Sequence, residues 1–124
     1  MKRKIKEVTW EEFKAEVRRE NSSLGSLGRS MYYASVFLSM LPDDVPAPEV
    51  YDTLLGTVEL EWYSSLSCLF TVEFEKDGTI TYAGRCGEEE EGGEIKWDQV
   101  DSKLEFLVSR IRRVVEEAER NGNS

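Results

Sequence analysis

The segment from Thr57 to Cys86 limits the fold of this chain more than any other part of the sequence. It contains runs in which apolar and polar residues alternate strictly, and a period of two is typical of strands with one buried face. The apolar positions of the first two runs are Val58, Leu60, Trp62, Cys68, Phe70, Val72 and Phe74. The alternation therefore predicts an antiparallel sheet with one apolar and one polar face.

The turns within this segment predict the register of the strands. A three-residue loop at 76–78 ends in glycine, which can adopt the left-handed conformation that such loops need. This loop places Phe74 opposite Ile80 and Cys68 opposite Cys86. Every predicted pair lies on the apolar face, as a correct register requires.

The preceding loop, residues 64–66, also predicts a register. It places Trp62 opposite Cys68 and Leu60 opposite Phe70, again on the apolar face. A slip of one residue in either hairpin would bury glutamates.

Helices are expected before and after the strands in the sequence. Thr9 and Glu12 fit a capping box at the start of a short helix that ends near Glu20. The apolar run Met31–Leu41 predicts a helix that is buried on all sides, and the stripe Leu104–Ala118 predicts a C-terminal helix.

The acidic segment from Gly87 to Gly93 is predicted to be a mobile loop, because it consists of glycine and glutamate alone. Residues 94–97 then form a short fourth strand. Together the elements predict one α+β domain over residues 1–124, frayed at 1–6 and 120–124. Its antiparallel sheet has four strands, within a range of three to five, and the helices pack on the apolar face.

Charge is distributed unevenly along the chain. The net charge is −9, and residues 43–101 contain sixteen acidic and three basic residues. Phosphate binding depends on Lys and Arg, so direct contact with nucleic acid is disfavoured, although mimicry of nucleic acid is compatible with this charge. A protein partner with a basic surface is the natural complement.

The residues that most enzymes use are scarce. The chain contains no histidine, and this removes the commonest general base, the commonest metal ligand and every Ser-His or Cys-His arrangement. We therefore expect a non-enzymatic protein with no cofactor and no metal. Cys68 and Cys86 are compatible with a cross-strand disulfide, but reduced thiols packed in the core are favoured for a cytoplasmic protein, with redox chemistry the least favoured.

The candidate binding residues lie on the polar face and in the acidic segment. Glutamates on such a face are usually solvated without a binding role. The functional interpretation is that they form a partner-binding surface. Tyr63 alternates outward at a hairpin end and is a candidate hot spot. The candidate partner-binding residues are Glu59, Glu61, Tyr63, Glu73, Glu75, Glu88, Glu89, Glu90 and Glu91.

Three short segments resemble a group of small uncharacterised bacterial proteins. The segments are Pro46-x-Pro48-x-Val50, Gly56-x-Val58-x-Leu60-Glu61-Trp62 and Asp77-Gly78-x-Ile80-x-Tyr82. The resemblance covers residues 46–86 and concerns strands rather than a site, so it implies no enzymatic activity and no functional residue. The members resemble accessory or mobile-element proteins, which implies antitoxin, immunity or anti-defence roles.

These observations favour an inhibitor-type protein that presents an acidic surface to a basic partner. One alternative is a homodimer or complex subunit held through the Met31–Leu41 or Leu104–Ala118 surface. A carboxylate-based hydrolase or metal enzyme is a remote alternative, and it predicts a carboxyl of raised pKa in a pocket. The sequence shows neither a signal peptide nor an apolar stretch long enough to span a membrane, so a cytoplasmic location and no membrane partner are expected.

Overall fold

The computed structural model describes residues 2–4, 25–65 and 67–122. Along these residues lie six strands, two α-helices and one short 3-10 helix. The elements are β1 (Arg3–Lys4), α1 (Gly25–Met40), β2 (Glu49–Asp52), β3 (Val58–Ser65), β4 (Cys68–Phe74), β5 (Thr79–Cys86), β6 (Glu89–Lys96), the 3-10 helix (Trp97–Gln99) and α2 (Val100–Gly122). The helix predicted over residues 9–20 lies outside the described residues.

The strands form one antiparallel sheet in the order β1-β2-β3-β4-β5-β6. From β2 onward, each strand pairs with the strand that precedes it in the sequence, an arrangement that short connections favour. Five strands have four residues or more, and the two-residue β1 adds an edge. The predicted α+β class with an antiparallel sheet is confirmed.

Both helices pack on the apolar face of the sheet, against β3 and β4. From α1, the ring of Phe37 lies 5.4 Å from the ring of Phe74. From α2, Leu107 and Ile111 are fully buried. Each such side chain contributes about 1.5–3 kcal/mol through burial of apolar surface, so this layer is the main source of stability.

The prediction that α1 is buried on all sides is wrong. Met31, Ala34 and Phe37 are buried, whereas Tyr32 is 51% exposed and Ser39 is also exposed. A helix in a two-layer structure meets the sheet with one side and solvent with the other. The apolar sides proposed for a dimer therefore lie largely against the sheet of the same chain.

The predicted register of the β4–β5 hairpin is confirmed. Phe74 pairs with Ile80 and Cys68 with Cys86, and Gly78 has a φ of +90°. The predicted β3–β4 register is wrong by two residues, because Trp62 pairs with Phe70 rather than with Cys68. A bulge lies between residues 63 and 65, and a shift of two residues leaves every side chain on its predicted face.

The acidic segment is a strand rather than the predicted mobile loop. Residues 89–96 form β6 and pair with β5 along their whole length. Gly93 lies opposite Tyr82, and a Cβ on Gly93 would meet the phenol oxygen of Tyr82 at 2.5 Å. Glycine here makes room for a ring that packs across the strand, which composition alone does not reveal.

Cys68 and Cys86 are joined by a disulfide, contrary to the favoured expectation of reduced thiols. Their pairing in the register brings the two Cα atoms within 3.9 Å of each other. The bond links the ends of β4 and β5 that lie farthest from their connecting turn. The expectation of reduced thiols was wrong because it was based on an assumed cytoplasmic location. The predicted register had already placed the two cysteines opposite each other, close enough for a disulfide.

Candidate functional site

The predicted site residues separate into two groups in the folded chain. One group lies on or beside the face of the sheet that points away from the helices, and the other lies at the β5–β6 end. The first group consists of Glu59, Glu61, Tyr63, Glu73 and Glu75, and the second consists of Glu88, Glu89, Glu90 and Glu91.

The outward face carries a compact group of carboxylates that we name the acidic face: Glu49, Glu59, Glu61 and Glu73. Glu49 pairs directly with Glu61, and Glu59 pairs directly with Glu73. All four side chains are half-buried. Like charges directly opposite on neighbouring strands destabilise a sheet, so this arrangement is not explained by stability.

Glu49 is a residue of the acidic face that was not among the predicted site residues. Strand β2 begins at Glu49, and alternation across Glu49 and Tyr51 places both on the outward face. The period of two, extended one residue back from Val50, would have identified it.

The side chain of Lys2 lies on the acidic face. The Nζ of Lys2 lies 2.6 Å from Oε2 of Glu59 and 3.0 Å from Oε2 of Glu61. It also lies 4.1 Å from the centre of the Tyr51 ring. Burial lowers the pKa of the Lys2 ammonium, but hydrogen bonds to both carboxylates outweigh burial and raise it.

Hydrogen bonds hold two further carboxylates of the face. Tyr51 donates its hydroxyl proton to Oε2 of Glu49 at 2.6 Å, and Thr57 donates to Oε2 of Glu73 at 2.7 Å. The bond to Glu49, followed by burial, raises the pKa of the Tyr51 phenol to about 12. The carboxylates are thus oriented by neighbours, as a preformed binding surface requires.

Glu75 lies just beyond β4, at the turn that leads to β5. Burial, followed by repulsion from Asp77, Glu73 and Glu94, raises the pKa of its carboxyl, while Lys96 opposes the shift. Charge is therefore crowded along this edge of the acidic face as well.

Tyr63 lies on the outward side of β3, two residues beyond Glu61, and is 50% exposed. Its register partner is Leu69, so it sits at the end of the acidic face away from Glu75. The ring offers apolar contact area beside the carboxylates.

The second group of glutamates lies around a cleft of about 420 Å³ between the β5–β6 end and α2. Nη1 of Arg113 lies 2.7 Å from Oε2 of Glu89, and Nε of Arg110 lies 2.5 Å from Oε1 of Glu91. The N–H bond of that Nε does not point at the carboxylate, so the Arg110 contact is an ion pair without a hydrogen bond. These arginines come from α2, and the fold rather than the local sequence brings them to the acidic segment.

The two groups do not form one surface. Glu89 and Glu91 turn toward the helix side, and Glu90 faces outward 3.8 Å from Nη1 of Arg85. Since three of these four glutamates have a cation within 4 Å, the cleft has mixed rather than negative charge. On the acidic face, the described cation beside Glu59 and Glu61 is Lys2.

Two observations bear on the alternative of a metal or hydrolytic centre. Over residues 2–4, 25–65 and 67–122, no group of three or more His, Cys, Asp or Glu side chains is arranged to hold a metal ion. Glu75, whose carboxyl has a raised pKa, does not line the cleft. The carboxylates of the acidic face can bind cations.

No family model, curated protein or solved structure matches this chain. The resemblance of residues 46–86 to small bacterial proteins stays a prediction. In the part of the chain that the structure describes, no helix is long and apolar enough to cross a bilayer.

Proposed function

We propose that this chain is a non-enzymatic, inhibitor-type binding protein whose acidic face contacts a basic site on a partner protein. The observation that carries the proposal is the pairing of glutamates across strands, Glu49 with Glu61 and Glu59 with Glu73. A basic partner offsets the repulsion within each pair, so binding recovers free energy that the free protein loses.

The proposed partner is a protein rather than a nucleic acid or a membrane, because the acidic face repels phosphate. A partner whose own ligand is a nucleic acid fits equally well, and the acidic face would then act as a mimic of the phosphate backbone. Antitoxin, immunity and anti-defence proteins are the functional classes that this proposal covers.

Tyr63 belongs to the proposed interface as an apolar contact at the end of the acidic face. Glu88 to Glu91 enter as a secondary contact, because three of them already have cationic neighbours in the chain. A cytoplasmic location is part of the proposal, and there the Cys68–Cys86 pair is exposed to reducing conditions.

Affinity capture with matched charge variants tests the proposal. Tagged protein is incubated with host lysate at about 50 mM and about 500 mM salt, and the captured proteins are identified by mass spectrometry. The test variant carries Glu59→Gln, Glu61→Gln and Glu73→Gln. The control carries Glu105→Gln, Glu116→Gln and Glu119→Gln, which remove the same charge from exposed positions on α2.

We expect one stoichiometric partner that the control retains and the test variant loses. High salt should weaken this capture, because the screening length of exposed charges falls from about 14 Å to about 4 Å between these concentrations. A partner retained by both variants would refute the role of the acidic face. Self-association that is insensitive to salt would instead support the homo-oligomeric alternative.

A further inference from the structure

The contacts of Lys2 define a small binding seat on the acidic face. The seat consists of the carboxylates of Glu59 and Glu61 and the ring of Tyr51. An ammonium has three donors and a compact charge, and here two carboxylates and an aromatic ring receive it together. This set of groups suits a lysine side chain better than a metal ion, because a ring face supplies no lone pair.

The occupant of the seat comes from the edge of the sheet. Lys2 directly precedes β1, in which Arg3 and Lys4 pair with Asp52 and Tyr51 of β2. The Lys2 side chain remains 40% exposed, and ion pairs of this exposure contribute little to stability. The contact can therefore exchange with solvent or with a competing cation.

The seat itself is more buried than its occupant. The carboxylates of Glu59 and Glu61 are 16% and 15% exposed, and both lie on β3 between two paired strands. Tyr51 is oriented by its hydrogen bond to Glu49. When Lys2 leaves, the carboxylates stay close together and half-buried, which favours binding of another cation.

We propose that this seat binds a lysine of an extended basic segment in the partner protein, and that Lys2 fills it in the free protein. This inference rests on the function proposed above and adds the recognised group and the competitor. The partner segment lies along β2 in the place of β1, so backbone pairing and the ammonium contact act together.

Peptide binding to the chain of residues 1–124 tests the seat. The probe is an acetylated, amidated and fluorescently labelled peptide with the sequence of residues 1–6, Met-Lys-Arg-Lys-Ile-Lys. Its affinity is measured by anisotropy at low salt for the wild type, Lys2→Met and Lys103→Met. Lys103 is exposed on α2, so its variant matches the loss of charge and leaves the seat occupied.

We expect Lys2→Met to bind the probe about fivefold more tightly than the wild type, the factor that loss of a tethered ion-pair competitor allows. Lys103→Met should bind as the wild type does. Adding Glu59→Gln and Glu61→Gln to Lys2→Met should abolish the gain. Circular dichroism of each variant checks that the fold is retained.

The proposed seat would be refuted if the wild type and Lys2→Met bound the probe with equal affinity. An equal gain in affinity for Lys2→Met and Lys103→Met would also refute it. The same variants in the capture experiment separate the two proposals. If capture depends on the acidic face but is unchanged by Lys2→Met, the seat fails and the proposed function stands. If the acidic-face variant captures the partner as well as the wild type does, the proposed function is refuted, whatever affinity the peptide shows.

Discussion

At the scale of single residues, the pKa of the Tyr51 phenol depends on the charges of the acidic face. Its hydroxyl donates to Glu49, its ring lies beneath the Lys2 ammonium, and Glu59 is its register partner. Ionisation of the phenol would place another negative charge among these carboxylates. The bond to Glu49 and burial therefore raise its pKa, while Lys2 opposes the shift.

The titration of Tyr51 is the prediction at this scale. Its pKa is raised from 10.0 to about 12, so the bond to Glu49 stabilises the fold fully below about pH 10 and is lost as the pH rises through about 12. Absorbance at 295 nm should show one phenol that ionises near pH 12, and Tyr51→Phe should lack this step. Glu49→Gln should lower the pKa, and a Tyr51 that titrates with the other phenols would contradict the bond.

At the scale of elements, the turn between β2 and β3 holds Leu54 in an unfavourable backbone conformation. Leu54 has a φ of +68°, a left-handed conformation that bulky side chains disfavour. Its N–H donates to Oδ1 of Asp52 at 2.8 Å, and Ser30 of α1 donates to the carbonyl of Gly56 at 2.7 Å. These bonds hold the turn in place against α1.

Replacement of Leu54 by glycine tests whether this backbone conformation lowers the stability of the fold. Leu54 is 53% exposed, so the loss of packing is small, and removal of the left-handed strain should raise the free energy of unfolding by about 0.5–1 kcal/mol. Leu55 is 85% exposed and lies outside the left-handed region, so Leu55→Gly should lower it by a similar amount. Urea unfolding measures both, and a destabilised Leu54→Gly would show that the turn is not strained.

At the scale of the whole molecule, α1 and α2 cover one face of the sheet, and the acidic face lies on the other. The Cys68–Cys86 disulfide closes β4 and β5 into a loop, with a separation of 18 residues. Closing a loop of this length restricts the unfolded chain, and the expected stabilisation is about 3 kcal/mol. The oxidation state of the pair therefore affects the stability of the entire domain.

Reduction of the disulfide should lower the free energy of unfolding by about 2–3 kcal/mol. Urea unfolding is compared with and without a phosphine reductant, and alkylation with mass spectrometry reports the state of the two thiols. Cys68→Ala/Cys86→Ala is the control, since reductant should not change its midpoint. An unchanged midpoint in fully reduced wild-type protein would contradict the stabilising role.

Much of the fold could be predicted from local patterns. Alternation identified the strands, their faces and the β4–β5 register, because side chains in a strand change sides at every residue and Gly78 permits the turn. The outward position of Tyr63 followed from the same rule. A helical stripe identified α2, although Ala118 at its end is exposed.

The errors lie where distant residues decide the structure. The acidic segment pairs with β5 because Tyr82 covers Gly93 and arginines of α2 reach Glu89 and Glu91, none of which is visible in the segment itself. The β3–β4 register differs by two residues from the prediction because of the bulge near Ser64. The prediction considered only the local turn, whereas pairing along the rest of the two strands sets the register.

The sequence by itself determined which residues are apolar on each strand and helix, and hence the two layers and the outward acidic face. The tertiary structure alone decided that Lys2 lies on Glu59 and Glu61 and that arginines of α2 pair with Glu89 and Glu91. Periodicity depends on neighbours in the chain, whereas charge balance depends on groups that lie far apart in sequence and meet only after folding.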